Sequence, residues 1–249
     1  MKRFTGSVAL SAVVLGSSPV LAADLDVKGP VEHWLAFGGV DVNSAGYFFG
    51  YSGFQYAPGK GGLDETGLRF WLLGEAGGYH YQGPNDEKIR GTFWSTDALI
   101  GYSFERDDRS VAFYVGLNAI EHRLSVFDPE NSVQGSQVGA KFRTEAWYNP
   151  TPVTLLYGEG DYSTAFGTYY TTGKYGYSLT GGKTLEDKQL YVGPQITLHG
   201  DDRYQEWRIG GHVTSFNLGK VDFEIGAGYQ HNTDHGGGAY AILEFNTKF

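Results

Sequence analysis

The chain of 249 residues has no cysteine and a single methionine. Without thiols it can build neither a disulfide framework nor a thiolate site. Charge is sparse at 19%, and acids exceed bases by 28 to 19, leaving a formal net charge of −9. An acidic chain with no basic cluster is unsuited to nucleic acid, whose phosphates demand Lys and Arg. Beyond the first residues there is no apolar run long enough for a membrane-spanning helix, and no convincing helical period. The remaining choices are a protein folded in water or one that crosses a membrane as strands.

What is abundant decides between them. There are 38 glycines, and aromatics reach 16%. Transmembrane β-barrels have this composition, because aromatic girdles sit at both interfaces and small residues let strands curve. The start, "MKRFTGSVALSAVVLGSSPVLAADL", has a basic head (Lys2, Arg3), an apolar middle and the small-residue ending "VLA". It reads as a signal peptide over residues 1–22, cut after Ala22. A membrane anchor is disfavoured because Ser17, Ser18 and Pro19 interrupt a short apolar segment. Cleavage removes two bases and no acid, taking the formal charge from −9 to −11. Residues 23–32 form an extended periplasmic lead, and 33–249 the barrel.

The body alternates with a period of two, the mark of strands with two different faces. Twelve strands are expected: 33–42, 47–57, 66–81, 91–104, 110–123, 134–148, 152–165, 168–180, 189–199, 203–216, 220–231 and 238–249. An even number suits a single-chain barrel with both ends in the periplasm. The long connections 58–65 and 181–188 leave ten or fourteen strands open. In "KVDFEIGAGYQ", Val221, Phe223, Ile225, Ala227 and Tyr229 oppose Asp222, Glu224 and Gln230. In "VGAKFRTEAWY", Val138, Ala140, Phe142, Ala146 and Tyr148 oppose Lys141, Arg143 and Glu145. Lipid outside and a charged lumen inside explain both stripes. The expected lumen charges are Arg69, Glu75, Lys141, Arg143, Glu145, Glu159, Asp161, Arg208, Asp222 and Glu224. Opposite charges among them would cross-link the interior. Trp71, Tyr79, Tyr81, Tyr114, Trp147, Tyr170, Tyr191 and Tyr240 share the inward parity.

"NPTP" and "NLGK" read as tight periplasmic turns. "SVFDPENSVQG" and "HNTDHGGG" are longer, polar, and fall at the other end. The last strand, "GGGAYAILEFNTKF", ends its outward stripe on Phe249. A terminal aromatic of this kind resembles the signal read by the barrel-assembly machinery of outer-membrane proteins.

Catalytic signals are weak. A Ser and His two apart on a strand would share a face, but none of the seven His residues stands in "HxS"; the nearest is "HVT" (His212, Thr214). His231 and His235 flank a loop and read as solvated rather than metal-bound. Glu159 with Asp161, and Asp222 with Glu224, are same-face carboxylate pairs of the kind glycosidases use, although charge pairing across the lumen explains them equally. The Gly-rich stretches "GGLDETG" and "HGGGAY" precede no helix and lack a phosphate-loop lysine. No cofactor, metal or catalytic residue is expected.

The stretch "FDPENSVQGSQVGAKFRTEAWYNPTP" resembles the cellulose biosynthesis protein BcsS family of alphaproteobacteria. The likeness continues in "YSTAFGTYY", "YVGPQ" and "YQEWRIGGHVT", begins earlier in "YSGFQYAPGKGGLDETGLRF", and so covers the chain from about Gly46 onward. It implies an outer-membrane barrel serving cellulose or exopolysaccharide synthesis, assisting polymer export or docking. The expected partners are outer-membrane lipid, the barrel-assembly machinery, and a cellulose chain or the cellulose synthase complex. Asp128, Asn131, Gln134 and Trp147 are the candidate contacts to polymer or partner, because loops on a rigid scaffold carry binding residues. A small non-specific porin or structural barrel, and a barrel enzyme acting on polysaccharide or lipid, are the alternatives.

Overall fold

The computed structural model describes residues 30–84, 86–181 and 189–249. The expected signal peptide, residues 23–29 of the lead and residues 182–188 of the eighth connection lie outside the described residues. Alternating sequence becomes strand throughout. The strands are β1 (Trp34–Asn43), β2 (Phe48–Tyr56), β3 (Gly67–Gln82), β4 (Lys88–Arg106), β5 (Arg109–Leu124) and β6 (Gly135–Thr151). They continue as β7 (Thr154–Ser163), β8 (Tyr169–Ser178), β9 (Tyr191–Gly200), β10 (Gln205–Leu218), β11 (Val221–Asn232) and β12 (Gly236–Lys248). Each strand pairs antiparallel with its sequence neighbours, and β12 closes on β1. Closure leaves no sheet edge. Phe249 completes the seam: its N–H donates to Trp34 O at 2.9 Å, and its carbonyl accepts from the N–H groups of His33 and Trp34 at 3.1 and 2.9 Å.

The outer wall is apolar. Phe113, Leu117, Phe142, Ile209 and Ile225 are all more than half exposed. Aromatics gather toward both ends of this band. Trp34 stacks on Tyr56 at 4.4 Å between ring centres near the termini, and Trp207 packs on Tyr229 at 5.7 Å near the other end. A soluble protein does not surround itself with such a band; a transmembrane barrel requires it. Phe223 is only partly exposed, because Phe216 lies beside it at 6.5 Å.

Two local features depart from simple alternation. In β10 the pairing shifts between Val213 and Phe216, and Ser215 sits at φ 65°. This bulge moves outward parity from odd to even positions, so Phe216 and Leu218 stay outside. The connection between β2 and β3 contains a short 3-10 turn at Gly62–Asp64, which accounts for its length without an extra strand. Buried Arg69 anchors this connection by donating to Leu63 O at 2.9 Å and Glu65 O at 2.6 Å. The barrel is also uneven in height: β3 to β6 span 16 to 19 residues, whereas β7 to β9 have 10 each.

Candidate functional site in the barrel lumen

Inward residues of all twelve strands surround a cavity of about 960 Å³. Its lining runs from Ser110, Trp147 and Lys248 at the end holding the termini to Tyr81, Asp201 and Asp234 at the opposite mouth. That volume lies at the upper end of small-molecule pockets. The two walls differ. On the β2 to β5 side, Trp71, Leu73, Leu99 and Tyr114 pack as a buried apolar cluster, with Phe37 and Tyr51 against it. This wall is a filled core rather than a charged surface, a division that alternation alone does not reveal.

The facing wall is a charge network. Lys141 Nζ lies 2.7 Å from Asp97 and 3.3 Å from Asp161. Arg143 lies 2.9 Å from Glu159 and 3.6 Å from Asp161, and its guanidinium stacks over Trp71 at 4.4 Å. Since β4 and β5 separate Arg143 from Trp71, this contact is a chord across the lumen. Lys174 makes another, from β8 to Glu224 on β11 and Glu244 on β12; Tyr51 on β2 donates to the same Glu244. Tyr157 O–H donates to Glu159 at 2.5 Å, and Glu145 lies 3.1 Å from the same hydroxyl oxygen. Higher in the lumen, Arg208 is bound to Asp41 and Glu206, each at 2.5 Å, and lies over Tyr240. His199 and Tyr204 reach the same Glu206. Glu75 and Asp222 line the cavity.

The expected contact residues separate. Asp128, Asn131 and Gln134 sit together on the β5–β6 loop. Tyr81 OH donates to Asp128 Oδ2 at 2.8 Å and accepts from Asn131 Nδ2 at 3.0 Å. Gln134 Nε2 donates to the carbonyls of Asp128 and Asn131, both at 2.7 Å. Their polar groups therefore fold the loop onto the mouth. Trp147 lies at the opposite end, where its indole N–H donates to Asn149 at 2.8 Å and its ring meets Tyr157 edge-on. At the mouth, burial pushes the carboxyls of Asp201 and Asp234 above the usual carboxylate range.

The "HVT" pair does meet. His212 Nδ1 is 2.7 Å from Thr214 Oγ1, but Thr214 also donates to Glu224 at 2.8 Å, and His212 Nε2 is held 3.0 Å from the Tyr175 carbonyl. Both ring nitrogens are engaged and the hydroxyl is tied to a salt-bridged carboxylate, so the trio acts as a strut. Among the described residues, no three His, Asp or Glu side chains are grouped to hold a metal ion.

Of an arc of rings in the upper lumen, only Tyr170 is expected from sequence. Phe93, Phe49, Tyr47, His199 and Tyr170 follow one another with centres 5.6 to 6.5 Å apart. The run "YFFGY" places aromatics on both parities, which obscured its inward members Tyr47, Phe49 and Tyr51.

Comparison with known proteins identifies the pattern. The model of the family described as "Cellulose biosynthesis protein BcsS" matches residues 35–249. Among solved structures, LpxR from Salmonella typhimurium is similar with a TM-score of 0.50 at 9% identity, over 87% of this chain and 100% of that one. The β-domain of the Bordetella autotransporter BrkA gives 0.47 at 12% identity, over 88% and 100%. The translocator domain of the autotransporter NalP from Neisseria meningitidis gives 0.46 at 12%, over 90% and 91%. At such identity the likeness to LpxR concerns the fold alone. No curated protein matches the chain.

Proposed function

The chain belongs to the cellulose biosynthesis protein BcsS family, and from that premise we propose that it is an accessory barrel of the outer membrane that meets the cellulose polymer there, assisting its export or docking. The observation that carries this reading is the two-sided cavity between the barrel's ends. An extended β-glucan offers flat C–H faces and hydroxyl edges. An aromatic wall opposite a wall of carboxylates and cations suits both. The β5–β6 loop, with Asp128, Asn131 and Gln134, shapes the outer mouth, and Trp147 lines the periplasmic end; polymer or the synthase complex would meet them at opposite ends. The signal peptide delivers the chain to the periplasm, and the assembly machinery inserts it with Phe249 as part of its signal.

The test is a clean deletion complemented by the wild-type chain, with surface cellulose scored by a glucan-binding dye. Loss on deletion and recovery on complementation are expected. Unchanged surface cellulose in the deletion strain would reject the proposal.

A further inference from the structure

The upper lumen holds polar groups that the network leaves unused. Among the described residues, the hydroxyls of Tyr47 and Tyr170 and the carboxylate of Glu75 make no hydrogen bond or ion pair, though all three line the cavity. Asp41, also on the lining, is 4% exposed, and its Oδ1 bonds nothing while Oδ2 holds Arg208. A buried carboxylate oxygen such as Asp41 Oδ1 is normally satisfied; Tyr47, Tyr170 and Glu75 are half-buried and face the cavity. The four belong to one region. Tyr47 and Tyr170 each have their ring centre 6.3 Å from that of His199, and His199 connects through Glu206 and Arg208 to Asp41. Glu75 pairs across strands with Tyr51, and Tyr51 with Gly39, two residues from Asp41. Gly39 is required there, since a Cβ would come within 2.9 Å of the Tyr51 ring.

Resting on the reading of the barrel as a cellulose-associated protein, we propose that Tyr47, Tyr170, Glu75 and Asp41 form a binding site for a short segment of neutral β-glucan entering from the outer mouth. The acceptors take sugar hydroxyls and the rings take the C–H faces. Among the described residues, Glu75 and Asp41 Oδ1 offer acceptors with no free cation beside them, which suits hydroxyls rather than anionic groups. A metal ion is poorly served, because the unused groups include two phenols and form no three-ligand cluster. Below the site, the Arg143–Trp71 and Lys174–Glu244 contacts cross the lumen. A chain held above those chords is docked rather than threaded through.

The experiment is calorimetric titration of the purified full-length barrel in nanodiscs with cellohexaose, with maltohexaose as the control chain. Wild type should bind cellohexaose and not maltohexaose. Tyr47→Phe and Tyr170→Phe remove one hydroxyl each and preserve packing; each should weaken binding about three- to tenfold, as expected for one lost hydrogen bond, and Glu75→Gln should do likewise. Folding is verified for every variant by heat-modifiable migration. Absence of cellohexaose binding, or wild-type affinity in all three variants, overturns the site. Equal binding of maltohexaose overturns the β-glucan assignment. Cellohexaose binding together with normal cellulose in the deletion strain would reject the cellular role while leaving the site standing. A cellulose defect without binding would do the reverse.

Discussion

Lys141 and Phe142 are neighbours in sequence and face opposite solvents, so they test the lumen directly. Lys141 is 7% exposed and its ammonium sits between Asp97 and Asp161, at 2.7 and 3.3 Å. Lys141→Met removes the cation and keeps most of the packing volume. Asp97, 1% exposed, would retain only the Asn118 amide at 2.7 Å. Asp161 would retain Arg143 at 3.6 Å. Removing one partner of a buried pair strands the other charge and costs about 3–5 kcal/mol. The double variant Lys141→Met with Asp97→Asn removes both charges, and should return most of that loss, since neutral replacement of a buried pair is often nearly neutral. Urea titration of barrels folded into vesicles, followed by tryptophan fluorescence, gives both values. A single-variant cost below about 1 kcal/mol, the range of solvated pairs, would mean that water fills this part of the lumen. Failure of Asp97→Asn to rescue would mean that the pairing itself is misassigned.

Three other outcomes follow from the same geometry. Phe142→Arg or Ile225→Arg should cost about 2–4 kcal/mol by placing a charge on the lipid face, whereas Asp222→Asn should assemble normally; equal tolerance in vesicle-refolding titrations would mean the faces are wrong. Deleting Phe249 removes three backbone hydrogen bonds at the β1–β12 seam together with the terminal aromatic, and should leave secreted, unassembled protein that is degraded; a normal yield of heat-modifiable barrel in membranes would contradict this. Tyr81→Phe breaks the link to Asp128 and Asn131, so limited proteolysis should cut within residues 125–134 while the barrel stays intact; an unchanged cleavage pattern would show that the loop is held by other contacts.

The twelve strands were legible because each β residue alternates between two media, and a period of two needs no partner to be read. The observed ends fall within three residues of the expected ones. The apolar stripe through Phe142 and Ile225 was legible for the same reason. The bulge at Ser215 was not, because serine carries no mark of φ 65° until its neighbours fix the register. Nor was the choice of ion-pair partners. Lys174 meets Glu224 from three strands away and Glu244 from four, distances set by curvature and closure. Direct pairing of β3, β4 and β5 merges the inward stripes of Trp71, Leu99 and Tyr114 into one apolar core, and the length of β6 separates Trp147 from the loop of Asp128.

The lumen's residue choice is costly to stability. Desolvating Lys141, Arg143 and Arg208 consumes much of what their pairing returns, and well-packed apolar residues often do as well or better. The β2 to β5 wall shows that this barrel can build such a core. Charged chords on the other wall hold the barrel open across its width while leaving space beside them. Glu75 and the Tyr47 and Tyr170 hydroxyls go further, since they lie in that space without pairing at all. A purely structural barrel gains nothing from cavity-facing groups that bond to no protein atom. A ligand that supplies hydroxyls gives them partners, and places the cost where binding recovers it.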